Sequence, residues 1–287
     1  MNATTTPAEI LLRACGHARS LRGRIWVVKL GGSAMEEPEA TRSMLASLVA
    51  LQTLGLRIVV VHGGGKPIDR AMAAAGLEPK KVAGRRYTDE AVLQVVMRVL
   101  DEINRDIVAE LNALGGDAIS ERQVLAGTRL VLPGPDLQPI DLGRVGTVTL
   151  VSTVTLHTAL TAGKIPVIPC LARSTEDDGW LNVNADTAAA AVAGAMSAEC
   201  CYFLTDTPGV LRQRTDPGSR IQQLTRQECQ TLIESDIIAD GMIPKVQACL
   251  DALDAGANRA VILDGRERHS LLAEFVSESI PGTILCR

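Results

Sequence analysis

The sequence predicts an α/β fold built on a mainly parallel central sheet, and three observations carry that expectation. Short apolar runs alternate with longer stretches of helical periodicity, the pattern of βαβ units. Two of the apolar runs end in paired glycines and lead straight into helix-like segments. The chain has 287 residues, 46% hydrophobic and 22% charged, enough to bury a large core. That length fits one large α/β domain, or two lobes sharing one sheet.

The elements follow in order. Residues 7–20 form an amphipathic helix with Ile10, Leu11, Ala14 and Ala18 on one side. It packs either on its own core or on another subunit. Ile25–Leu30 is a buried strand ending in Gly31-Gly32, and Pro38–Leu54 a helix opened by proline. Arg57–His62 is a second buried strand, followed by a helix over Lys66–Ala75. Asp89–Leu114 is a long helix with Thr88 as its N-cap. Residues 117–150 read as short strands and turns. Thr153–Ala162 is a helix, Ile165–Cys170 a strand, and Ser174–Asn182 a polar turn suited to a hairpin. Then come an Ala-rich helix (Ala185–Met196), a strand (Cys200–Thr205), and helices at Thr225–Glu234 and Gly241–Ala255. Arg259–Leu263 is a strand, His269–Ser277 a short helix and Thr283–Cys286 a last strand. A soft boundary falls near residue 172, giving segments 1–24, 25–172 and 173–287.

Composition excludes several function classes. A net charge of −4 without a basic stripe argues against nucleic acid as a partner. No apolar run approaches the roughly 20 residues that span a bilayer, and residues 1–24 lack the apolar core of a signal peptide. The expected compartment is therefore the cytoplasm. The seven cysteines include no C-x-x-C pair and the four histidines have no metal-ligand spacing, so no protein metal site is expected. There is no G-x-S-x-G, no G-x-x-x-x-G-K-[ST] and no G-x-G-x-x-G.

The chemistry concentrates at strand ends. Lys29-Leu30-Gly31-Gly32-Ser33 and His62-Gly63-Gly64-Gly65-Lys66 each bring backbone N–H groups toward a helix N-terminus, a geometry suited to a polyphosphate. Either alone is also an ordinary tight turn. Only six of the 29 basic residues are lysines, and Lys29 stands among Val27, Val28 and Leu30. At a strand's C-terminal end it reaches a ligand, or snorkels to water. Asn182 and Asn184 alternate ahead of Asp186, with Asn184 placed to cap the following helix and amides suited to a carboxylate or amide ligand. Thr205-Asp206-Thr207-Pro208-Gly209-Val210-Leu211 runs from a strand into a Pro-Gly turn. Lys245 stands at a helix N-terminus, where the helix dipole disfavours a cation without an anionic partner. Gly84-Arg85-Arg86-Tyr87-Thr88 offers a guanidinium for bidentate carboxylate binding.

Taken together, V-K-L-G-G-S-A-M, V-H-G-G-G-K-P-I-D, G-R-R-Y-T, L-N-V-N-A-D, L-T-D-T-P-G-V-L and D-G-M-I-P-K-V resemble the amino-acid-kinase family, and its acetylglutamate kinases in particular. The resemblance runs from about Ile25 to Arg287. It implies an open three-layer αβα sandwich, with residues 25–172 as an acyl-amino-acid lobe and 173–287 as a nucleotide lobe. It implies ATP-dependent phosphorylation of the side-chain carboxylate of N-acetyl-L-glutamate, in arginine biosynthesis. Lys29 and Lys245 would stabilise the phosphoryl group in transfer, with Asp186 orienting both. Gly64, Gly65, Arg86, Asn182 and Asn184 would bind substrate. Gly31, Gly32, Asp206, Gly209, Val210 and Leu211 would bind ATP, with Mg²⁺ held mainly by the phosphates. Asp264-Gly265-Arg266, the His269-to-Phe275 segment and the N-terminal helix resemble arginine-inhibited hexameric members, so L-arginine as feedback inhibitor and a homo-oligomer, dimer or hexamer, are expected. Those members carry a Tyr in the N-terminal helix, and residues 7–20 have none. The rival readings are a kinase for another acyl-amino acid, such as an N-acetyl-aminoadipate, and a non-catalytic regulatory module binding arginine or acetylglutamate.

Overall fold

The computed structural model describes residues 6–31, 35–82, 84–134, 138–277 and 280–286. Helix α1 (Pro7–Leu21) opens on Thr6, whose hydroxyl accepts from the Glu9 N–H while the Glu9 carboxylate reaches back to the Thr6 N–H. Strand β1 (Ile25–Leu30), helix α2 (Pro38–Thr53), strand β2 (Arg57–His62) and helix α3 (Gly65–Ala74) follow, then the two-residue ladder β3 (Lys81–Val82) with β4 (Arg85–Arg86). Helix α4 (Glu90–Ala113) is capped by Asp89, whose carboxylate accepts from the Val92 N–H at 2.8 Å. Thr88, expected as that cap, lies one residue too early. It is fully buried, and its hydroxyl instead donates to the Arg86 carbonyl and accepts from Asn182.

The chain continues through β5 (Ala118–Ser120), β6 (Leu125–Arg129), β7 (Leu132–Pro133), β8 (Pro139–Ile140), β9 (Val145–Val151), α5 (Thr153–Thr161), β10 (Ile165–Pro169), β11 (Leu171–Ser174), β12 (Trp180–Val183), α6 (Ala185–Ala195) and β13 (Cys200–Thr205). It ends with β14 (Gln223–Thr225), α7 (Arg226–Glu234), α8 (Met242–Ala255), β15 (Ala260–Asp264), α9 (Ala273–Val276) and β16 (Gly282–Cys286). The expected His269–Ser277 helix is a 3₁₀ turn at Ser270–Leu272 running into α9.

Eight strands form the central sheet in the order β14-β16-β15-β13-β1-β2-β10-β5. Every pair in it is parallel except β15 with β16. Because side chains alternate across a strand, β1 feeds two cores. Trp26, Val28 and Leu30 join Met44, Leu48 and Phe275 on one face. Val27 joins Ala188, Ala189 and Leu253 on the other. Those two faces, covered by α2 and α9 on one side and by α6 and α8 on the other, make three αβα layers. The long α4 serves both, with Val96 and Leu100 in one core and Ile107 and Leu111 in the other.

Beside the main sheet, β6, β9, β12 and β11 pair in a closed ring: β11–β12 and β6–β9 antiparallel, β12–β9 and β11–β6 parallel. The expected hairpin at 174–182 is the β11–β12 connection. This ring holds Asn182 opposite Val145 and delivers the chain into α6.

Helix α1 docks on its own chain. Ala18 is buried, Ala14 and Leu21 pack against the α2-side core, Arg13 Nη2 donates to the Val276 carbonyl at 2.6 Å, and His17 stacks edge-on to Phe275. Leu11 and Leu12 face outward, 64% and 72% exposed.

Candidate active site

Lys29 is the fifth residue of β1, so it shares the face of Val27 and points toward α6. Its ammonium meets Asp186 Oδ1 at 2.7 Å, and both residues are largely withdrawn from solvent. Asp186 sits in the first turn of α6, where the exposed N–H groups favour a carboxylate. Asn184 fixes that turn, its Oδ1 accepting from the N–H groups of Asp186 and Thr187. The capping role expected of Asn184 is present, and it leaves the amide nitrogen as the free end of the side chain.

Gly31 matters for the approach of that lysine. A Cβ at residue 31 would lie 2.9 Å from the Leu204 carbonyl oxygen and 3.1 Å from Lys29 Nζ. Only a glycine lets the ammonium fold back over the strand end. Gly32 lies outside the described residues.

On the neighbouring strand, β2 ends at His62 and turns through Gly63 into α3, with Gly64 as N-cap. Among the described residues, the Gly64 and Gly65 N–H groups have no backbone acceptor in the chain, as first-turn amides usually do not. A Cβ on Gly64 would strike Ile68 at 2.8 Å and Leu100 at 3.0 Å, so the turn is packed tight from behind.

Lys29, Gly64, Gly65, Arg86, Asn182, Asn184 and Asp186 line one cleft of about 340 Å³. Arg86 reaches it from β4, its guanidinium bonded to Asp69 at 2.5 Å and to the Gly65 carbonyl at 3.3 Å. Asn182 is held by its amide donating to the Thr88 hydroxyl at 3.1 Å. The cleft is thus walled by four cations (Lys29, Lys81, Arg85 and Arg86) against the one carboxylate of Asp186, with first-turn amides and two carboxamides, a donor set suited to an anionic ligand.

Gly209, Val210, Leu211 and Lys245 line a second, more apolar pocket of about 370 Å³. Gly209 has φ +115°, and a Cβ there would meet Thr283 Oγ1 at 2.5 Å. The Val210 N–H donates to that hydroxyl at 2.8 Å, which seats the turn on β16. Lys245 stands in the first turn of α8, donating to the Gly241 carbonyl at 3.3 Å. Asp186 pairs with Lys29 alone; among the described residues it makes no ion pair with Lys245. Asp206 directly precedes Thr207, a lining residue of this second pocket. Burial would raise its carboxyl, but its own backbone N–H, the Thr205 hydroxyl, Lys245 and Arg266 together hold it below the ordinary range. Gly31 and Asp206 line neither pocket, although Gly31 touches Lys29 and Asp206 feels Lys245.

No group of three or more His, Cys, Asp or Glu residues that could hold a metal occurs among the described residues. Cys170 lines the first cleft, but burial pushes its thiol up to about 12, which leaves it an apolar wall and not a nucleophile.

A family model described as the amino acid kinase family matches residues 24–264. The chain belongs to the amino acid kinase family. Among curated relatives, the acetylglutamate kinase of Brachyspira hyodysenteriae is 38% identical over 280 residues, covering 96% of each chain. That of Clostridioides difficile is 37% identical, covering 97% of this chain and 96% of the relative. Among solved structures, the N-acetylglutamate synthase of Neisseria gonorrhoeae complexed with coenzyme A and N-acetyl-glutamate superposes with a TM-score of 0.86 at 26% identity, over 98% of this chain and 64% of the synthase. Carbamate kinase from Giardia lamblia bound to AMP-PNP has a TM-score of 0.66 at 15% identity and shares the fold.

As an amino acid kinase the chain is an ATP-using phosphotransferase. Sequence reasoning missed several residues in or beside these two pockets. Asp69, which holds Arg86, ends the V-H-G-G-G-K-P-I-D segment and was available as a signal. Lys81 lines the cleft from the two-residue β3, and Val145 from the first position of β9, in a stretch read only as short strands and turns. Arg214 and Asp240 line the second pocket and pair with each other at 3.0 Å, though they are distant in sequence.

Proposed function

We propose that this chain transfers the γ-phosphoryl group of ATP to the side-chain carboxylate of N-acetyl-L-glutamate, as the acetylglutamate kinases it is similar to are named for. The observation that carries this reading is the shared cleft, where the buried Lys29–Asp186 pair, the free N–H groups at the head of α3 and the Arg86 guanidinium face one space.

The acceptor asks little proton chemistry of the protein. A glutamate side chain, with a pKa of about 4.3, is already ionised at neutral pH, so no general base is required. The work is to bring two anions together and to neutralise charge on the transferring group. Lys29 supplies a cation at the acceptor cleft, and Asp186 holds it in place. Gly64 and Gly65 add N–H donors with no competing backbone acceptor among the described residues. Arg86 is suited to the α-carboxylate, and Asn182 and Asn184 to the acetamido group. Lys245 stands between the second pocket and the rim, where a β- or γ-phosphate would lie. The adenine side belongs to Gly209, Val210 and Leu211, with Asp206 and Gly31 at the approach. Mg²⁺ would enter on the nucleotide, and it supplies charge neutralisation at the phosphates; a donor set of cations and amides suits the phosphate oxygens, not the ion.

On this reading residues 25–172 carry most of acceptor recognition, with Asn182, Asn184 and Asp186 reaching the same cleft from the start of 173–287; the rest of 173–287 carries the nucleotide, and 1–24 join subunits of a homo-oligomer in the cytoplasm. L-arginine acts as feedback inhibitor. The deciding assay is coupled ADP release with MgATP and N-acetyl-L-glutamate, alongside aspartate, carbamate, UMP and N-acetyl-aminoadipate. Turnover with N-acetyl-L-glutamate alone is expected. Turnover with another acceptor would move the substrate, and no turnover with any acceptor would overturn the reading. Adding millimolar L-arginine to the same assay tests the inhibitor.

A further inference from the structure

His62 is titratable, completely buried, and has no part in the chemistry just described. It ends β2, directly before the glycine turn, and its surroundings fix its protonation. Asn104 on α4 places its amide nitrogen 3.0 Å from the Val167 carbonyl oxygen and 3.0 Å from His62 Nε2. The Val167 oxygen can only accept, so the Asn104 nitrogen, not its oxygen, occupies that position. The same NH₂ group therefore donates to Nε2, which must carry a lone pair. The ring proton is left on Nδ1, and Nδ1 lies 3.2 Å from the Gly63 carbonyl oxygen.

The arrangement is kept at a cost. Asn104 is 2% exposed, and its Oδ1 is buried without a hydrogen-bond partner among the described residues. A leucine at residue 104 would leave no orphaned oxygen. The orphan is consistent with an amide retained for the orientation it imposes on the ring.

The Gly63 carbonyl is the other end of the peptide that carries the Gly64 N–H. In a trans peptide the two point opposite ways, and the described chain has no cis peptide. Anchoring one fixes the other. We propose that His62 is a positioning residue: locked as the Nδ1–H tautomer by Asn104, it holds the Gly63 carbonyl and so aims the Gly64 N–H into the cleft beside Lys29. This rests on the reading above, in which that N–H meets a substrate oxygen. An imidazolium would set N–H against N–H in a dry site; burial lowers His62 to about 4, so the ring stays neutral wherever the enzyme works.

Two substitutions separate the two contacts. His62→Asn keeps a donor near the Nδ1 position and loses the reach to Asn104. His62→Gln keeps the reach and loses the donor to Gly63. We expect His62→Gln to lower kcat by about 10- to 100-fold with KM values within about threefold, and His62→Asn to stay within about fivefold in kcat. A space-filling role would instead give matched losses of Tm with kcat unchanged, or equal kcat losses in both variants, and either result overturns the proposal. Long-range ¹H–¹⁵N spectra of the unsubstituted protein at pH 7 give a test that needs no variant. The Nδ1–H tautomer is expected for His62, and the Nε2–H tautomer overturns it. Lys29→Met serves as the separate control. If it keeps near-normal turnover, the reading of the cleft fails; if it is inactive while His62→Gln is normal, only the positioning role fails.

Discussion

Lys29 occupies a place that most sequences give to an aliphatic residue, in the middle of a sheet and under two neighbouring strands. Its charge is kept there by Asp186 at 2.7 Å, and the pair faces the cleft. Lys29→Met should therefore cost function before stability. We expect kcat to fall by about 10²-fold or more, the scale of losing one charge-stabilising group, with Tm little changed. Near-normal turnover in the ADP-release assay would remove Lys29 from phosphoryl transfer. Gly31→Ala tests the same geometry from the other side. Its methyl carbon would press on Lys29 Nζ and the Leu204 carbonyl, so turnover should fall although no charge is removed; unchanged kcat would show that the ammonium position is not critical. His62 adds a pH signature. Its folded value, about 4, lies below the unfolded 6.5. As pH falls through 6.5 the unfolded chain takes up a proton that the folded chain refuses. The His62 contribution is lost until about pH 4 and no further, by about 3 kcal/mol at most at 1.36 kcal/mol per pH unit. Urea titrations at pH 7 and pH 4 should show this extra loss in the unsubstituted protein and not in His62→Asn; parallel losses would contradict it.

At the scale of elements, what could be read in the sequence was what local physics decides. The runs Ile25–Leu30, Arg57–His62 and Cys200–Thr205 are mainly apolar segments, broken in the first by Lys29, and became the centre of the sheet. Asn184 could be read as a cap because an Asn before an Ala-rich run has one structural use and uses it. Strand β14 could not, because Gln223-Leu224-Thr225 has one buried residue and owes its pairing to β16, 61 residues on. The closed ring of β6, β9, β11 and β12 is set by pairings between distant segments in the same way. Arg86 was found by residue type, but its Asp69 partner depends on how α3 and β4 meet. Helix packing gives an element-scale prediction. A Cβ on Gly194 of α6 would lie 2.2 Å from the Ala255 Cβ of α8. Gly194→Val should therefore destabilise by about 1–3 kcal/mol through overpacking, read as a lowered urea midpoint with an unchanged slope. No shift would mean that the two helices separate freely.

For the whole molecule, the central sheet carries strands from both sides of residue 172, so the proposed acceptor and nucleotide sites would share one support. Helix α1 is the element that faces away from it. Its inner side is already committed, through Ala14, Ala18 and Leu21 to the core and through Arg13 to Val276. Its outer side presents Leu11 and Leu12 to solvent as adjacent apolar residues. We propose that these two leucines, on a helix already held by its own chain, meet another surface. A second copy presents the same two leucines, and a symmetric contact would cover both at once. Leu11→Lys with Leu12→Lys should leave α1 docked, because neither side chain reaches the core. Light scattering after size exclusion should then report a smaller assembly than that of the unsubstituted protein, with ADP release per chain retained because the catalytic cleft lies on other elements. An unchanged mass would show that these leucines join no subunits, and a loss of turnover with unchanged mass would tie α1 to the cleft instead.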